Sequence, residues 1–172
     1  MGIELRPAVP ADVEAIARLW HRGWHDGHVG SVPEALVAVR TPESFPPRVT
    51  DRLAHITVAV DGDEPAGFIM VAGDEVEQVY VAAAHRGTGV AGMLLAEAER
   101  QVAAAGHDTA RLAVAPGNAR ARRFYERQGW RDGGGFDFRA EVGDTILLVP
   151  VRRYLKHAPA HRPDRHAGRM SG

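Results

Sequence analysis

The stretch VEQVYVAAAHRGTGVAGMLL, residues 76 to 95, restricts the fold more than any other part of the chain. Its first half alternates and is rich in Val, the pattern of a strand. Its second half opens a stripe of Val90, Met93, Leu94, Ala98 and Val102 at helical spacing. A glycine loop joins the two. Gly87, Gly89 and Gly92 spell G-x-G-x-x-G, while Arg86, Gly89 and Ala91 in the same letters spell R-x-x-G-x-A. Both spellings aim backbone N–H groups at the start of a helix, where a phosphate binds. A dinucleotide turn needs its first glycine directly after a strand, and an acidic residue about 20 positions on. Here Ala82 to His85 intervene, and the next strand ends in Ala113-Val114-Ala115-Pro116. The nicotinamide-nucleotide reading therefore fails on context.

The 172 residues suffice for one domain with a real core. Lys and Arg total 21 against 22 for Asp and Glu, which gives no electrostatic case for nucleic acid or a membrane surface. The chain has no Cys, so disulfides, a cysteine nucleophile and thiolate-bound zinc are excluded. That composition fits a cytoplasmic protein. The start MGIELRPAVP lacks the basic and apolar regions of a secretory signal. No stretch approaches the roughly 20 apolar residues of a membrane span.

Along the chain, Ile3 to Arg6 reads as a strand. Pro10 and Asp12 then open a helix with Val13, Ile16, Ala17, Leu19 and Trp20 on its apolar face. Residues 21 to 32, with three glycines and three histidines, read as a loop or a break between helices. Pro33 starts a second helical pattern, and TPESFPPRVTDRLAH holds a turn or short helix. ITVAVDGDEPAGFIMVAG is two apolar runs around Asp61-Gly62-Asp63, a hairpin, and residues 75 to 81 continue the meander. A helix from Gly89 to Ala105, a strand over 110–115 and a helix from Asn118 to about Gln128 follow. Strands are expected over 130–139 and 144–151. The single domain is expected to span 1–155, with a disordered basic tail over 156–172, where large apolar residues are almost absent. The element order makes an α/β sandwich around a mixed sheet.

The combination of strand, R-x-x-G-x-A, helix, strand, N-x-x-A-x-x-F-Y and Gly-Trp, within residues 75 to 131, resembles the GNAT superfamily of acetyl-CoA-dependent N-acetyltransferases. The resemblance implies a mostly antiparallel central sheet with helices on both faces. It assigns Arg86, Gly87, Thr88, Gly89, Val90, Ala91 and Gly92 to the loop that holds the coenzyme A pyrophosphate. It also makes Val79 and Val81 main-chain partners of the pantetheine arm, with the Val79 amide near the thioester oxygen. Asn118 and Tyr125 lie seven residues apart, about two turns and roughly 10.5 Å along one helical face. Asn118 would meet the pantetheine amides, and Tyr125 would protonate the leaving thiolate. Glu75 or Glu77 is the candidate base, with water alone as the alternative.

Trp20, Trp24, His25 and Asp26 fall in the region that covers the acceptor mouth in this superfamily, and the tryptophans read equally well as core. His21, His25 and His28 share a helical spacing but no H-E-x-x-H, so no metal is assigned. The implied acceptor is a small-molecule or peptide amine. Homodimers are common in the superfamily, although no stretch here specifies an interface. The competing class is a GNAT-fold module that binds acyl-CoA without catalysis; the presence of Tyr125 counts against it.

Overall fold

The computed structural model describes residues 2–158. Its helices are α1 (Val13–His28), α2 (Glu34–Val39), α3 (Phe45–Arg52), α4 (Val90–Ala104) and α5 (Ala119–Arg127). Its strands are β1 (Ile3–Pro7), β2 (Ile56–Asp61), β3 (Glu64–Ala72), β4 (Glu75–Val81), β5 (Thr109–Val114), β6 (Arg131–Val142) and β7 (Thr145–His157). The strands form one seven-stranded sheet in the order β1-β2-β3-β4-β5-β7-β6. Every neighbouring pair is antiparallel except β4 and β5. This is the mixed, mostly antiparallel sheet that the resemblance implies.

The near-continuous apolar runs of β2 and β3 follow from burial on both faces. Val58, Phe68 and Met70 point to one core, which Ile16, Trp20, Trp24, Phe45 and Val49 from α1 and α3 complete. Ala59, Ile69 and Val71 point to the other, packed by Val90, Leu94, Leu95, Ala98 and Val102 of α4. The hairpin turn at Gly62 has φ 62°, as the Asp-Gly pair requires.

Three sequence expectations are corrected. Residues 21 to 28 continue α1, so the loop or break between helices expected over 21–32 is confined to 29–33. Each glycine costs a helix interior roughly 1 kcal/mol against alanine, yet both glycines sit at close contacts. A Cβ on Gly23 would come within 2.2 Å of the Tyr80 ring, and one on Gly27 within 3.0 Å of Asn118 Nδ2. Packing overrides propensity there. The last two strands are also longer than expected, and β7 runs through Lys156 and His157, which pair with Ala110 and Thr109. Residues 156 and 157 therefore belong to the sheet rather than to a tail. Ala158 is buried, and its N–H donates to Asp108 O at 2.7 Å. The expectation of disorder for 159–172 lies outside the described residues.

Candidate active site

The site grows from a fault in the sheet. Parallel β4 and β5 pair only at Glu75 and Arg111, near the start of β4, and carry no further ladder. Ala82 N–H donates to Ala66 O at 2.8 Å on the β3 side. Amides alternate in direction along a strand, so those of Val81 and Val79 face the opening toward β5. A register shift at Met70/Val71 leaves Glu77 without a partner across the ladder, a bulge that re-aims the strand at this edge.

The glycine loop lies at the end of β4. Gly87 and Gly89 have φ 75° and 89°, and Gly89 is the N-cap of α4. A Cβ at either would meet nothing within 4 Å, so it is the backbone's handedness that requires glycine. Thr88 Oγ1 donates to His85 O and tightens the turn. The first-turn amides of α4, Val90 to Gly92, have no partner within the helix and sit at the positive end of its dipole. This is a backbone anion nest. Arg86 turns away from it toward Asp26, 3.1 Å distant on α1.

A cleft of about 930 Å³ runs from this loop through the β4–β5 opening to the α1–α3 face. Val79, Val81, Arg86, Gly87, Gly89, Ala91, Gly92, Asn118 and Tyr125 line it, as do Glu75, Glu77, Trp20 and Trp24. Asn118 Oδ1 accepts the Ala121 N–H at 3.2 Å as N-cap of α5, and its Nδ2 reaches toward Gly27. Tyr125, two turns along, is buried beside Trp130 and Tyr154. Its hydroxyl makes no hydrogen bond among the described residues, and burial pushes its pKa up to about 12. Glu77 is ion-paired with Arg52, and Glu75 with Arg111 at 3.8 Å.

Other expected residues lie elsewhere. Thr88 and Val90 shape the loop without lining the cleft; Val90 is core. His25 Nε2 is 3.2 Å from Arg40 O, and Asp26 is held by Arg86, so neither faces the cleft. Trp20 is a core residue, 2% exposed, that only edges the cavity. Sequence reasoning missed Tyr80, His28, Arg40 and Arg48, and the β6–β7 wall of Phe138, Val149 and Val151. Burial raises the Tyr80 phenol and lowers the His28 imidazole, which stacks on Trp24 with ring centroids 4.8 Å apart. Only the alternation around Tyr80 was visible beforehand.

Solved structures share this fold. The apo form of YjaB from Escherichia coli is 20% identical with TM-score 0.67, covering 93% of this chain and 100% of that one. The PaiA N-acetyltransferase of Thermoplasma acidophilum, in complex with coenzyme A, is 19% identical with TM-score 0.64, covering 91% and 99%. The putative acetyltransferase yncA of Salmonella typhimurium, with acetyl-CoA, is 15% identical with TM-score 0.68, covering 97% and 100%. No curated protein sequence matches the chain. The family model described as "Acetyltransferase (GNAT) family" matches residues 15–130, from α1 to the Gly-Trp that follows α5. The chain belongs to the GNAT family of acetyltransferases.

Proposed function

We propose that this acetyltransferase moves an acetyl group from acetyl-CoA to a primary amine by direct attack, with both substrates in the cleft at once. The observation that carries this reading is the opening between β4 and β5, flanked by the anion nest on one side and Tyr125 on the other. Acetyl-CoA supplies the thioester carbonyl and the thiolate leaving group. The residues fit it: the left-handed glycines leave the space above the loop clear, and the α4 amides suit a pyrophosphate. Asn118 Nδ2 and the backbone of Val81 offer hydrogen bonds to the pantetheine amides.

The acceptor enters from the α1–α3 face. Val79 N–H donates to the thioester oxygen as negative charge grows there. Glu75 and Glu77 each use one oxygen in an arginine ion pair, which leaves the other to take a proton from the amine, directly or through water. The amine nitrogen bonds to the carbonyl carbon, the C–S bond breaks with its electron pair on sulfur, and Tyr125 O–H protonates that sulfur. Tyr125 then recovers a proton from solvent. Since the chain contains no Cys, an acetyl-cysteine route is closed.

The test is Tyr125→Phe, which keeps the ring and removes the hydroxyl. CoA release under saturating acetyl-CoA and amine is expected to fall by about 10²-fold or more, with acetyl-CoA affinity unchanged. Tyr125, at about 12, stays protonated through the neutral range, so the wild-type rate rises with pH as the amine deprotonates and does not turn down on account of Tyr125. Undiminished turnover in the variant would leave Tyr125 a packing residue.

A further inference from the structure

The α1–α3 end of the cleft carries positive charge that no carboxylate among the described residues pairs with. Arg48, on α3, lies with its guanidinium 4.7 Å from the centre of the Trp20 ring and 5.4 Å from that of Phe45. Its Nη1 is buried without a hydrogen-bond partner among the described residues. Arg40, at the end of α2, lines the same wall, and its backbone carbonyl faces His25 while its side chain has no carboxylate partner among those residues. The two cations are close enough to repel, and that repulsion adds to the burial that pulls Arg48 down to about 10. Of the carboxylates lining the cleft, Glu77 is taken by Arg52 and Glu75 by Arg111, while Asp51, exposed on α3, makes no ion pair with Arg40 or Arg48 among the described residues. An unpaired guanidinium held partly out of water is costly unless a ligand completes it. Tyr80 and the proposed acid Tyr125 line the same cleft as Arg48, so the cationic wall and the reacting end face one cavity.

We propose that the acceptor amine carries an oxyanion on the same small skeleton, and that Arg48, supported by Arg40, holds it. The proposal rests on the acetyl-transfer reading above and names the substrate class for it: an amino acid-like zwitterion whose apolar part lies on Trp24, Leu36 and Val151. Arginine suits the task because its planar fork meets both oxygens of a carboxylate, or two of a phosphonate.

The experiment is calorimetric titration into the CoA-loaded protein of matched pairs: L-phenylalanine and 2-phenylethylamine, L-tryptophan and tryptamine, L-methionine and 3-(methylsulfanyl)propylamine. The phosphonic analogue of phenylalanine distinguishes carboxylate from phosphorus oxyanion. At least one acid is expected to bind about 10-fold or more tightly than its decarboxylated partner. Arg48→Gln should remove that advantage and Arg48→Lys should keep part of it, with CoA affinity unchanged as the sign of an intact fold. Should Arg48→Gln fail to bind CoA, Arg40→Gln carries the same expectation. Equal binding within every pair, no binding by any member, or an advantage that survives these substitutions would overturn the proposal. CoA release from acetyl-CoA in the same samples is read separately. Arg48-dependent binding without release would sink the transfer reading and leave the anion site standing. Release that is as fast with the decarboxylated amines would do the reverse.

Discussion

Gly89 and Gly23 show two different reasons for a glycine. At Gly89 φ is 89° and a Cβ would meet open space, whereas at Gly23 a Cβ would strike the Tyr80 ring at 2.2 Å. Handedness governs the first and contact the second. Gly89→Glu is therefore expected to fold, losing about 1–2 kcal/mol to the left-handed strain. Its carboxylate would enter the nest beside the pyrophosphate, so calorimetry should show CoA affinity reduced by about 10²-fold or more. Affinity close to wild type would show that the phosphates lie elsewhere. Gly89 was legible because it stands in a spaced motif. Gly23 read as a helix breaker, because the ring it makes room for is 57 residues away in sequence (80 − 23). Arg40 and Arg48 had no signal at all: one follows α2 and the other sits behind two prolines, and only the fold brings them together.

Among the elements, α1 and β7 departed most from expectation. Apolar runs around the Asp-Gly turn made β2 and β3 readable, alternation made β4 readable, helical spacing made α4 readable, and the Asn118 cap marked the start of α5. The end of β7 has no such face at Lys156 and His157. It is a strand because its neighbour β5 supplies backbone partners, and ladder hydrogen bonds need no apolar side chain. Lys156 adds an ion pair to Glu99 at 2.5 Å and donates to Gln128 O at 2.8 Å, tying β7 to α4 and to the end of α5. A chain ending at Leu155 should accordingly be less stable than one ending at Ala158 by about 1–3 kcal/mol, the scale of a few lost hydrogen bonds. Denaturant titration of the two would read the difference. Equal midpoints would mean that the strand's last residues contribute nothing.

For the whole molecule, a sheet whose strands β2 and β3 are buried on both faces is interrupted where β4 and β5 part, and helices from opposite faces meet over that gap. The α4 side presents backbone amides and glycines suited to a pyrophosphate. The α1–α3 side presents aromatic walls and two arginines, Arg40 and Arg48, that have no carboxylate partner among the described residues and are proposed to hold the acceptor's oxyanion. The motif around the loop made the first half legible in sequence; the second half is assembled from α1, α2, α3, β6 and β7, which no short motif links. Hydrogen–deuterium exchange with and without acetyl-CoA tests this arrangement most directly, because bound donor covers particular amides. Acetyl-CoA should slow exchange at Val79 and Val81, across Gly87 to Gly92, and at the Asn118 end of α5, while NAD should slow none of these. Unchanged exchange at those amides with acetyl-CoA saturating, or protection there by NAD, would contradict it.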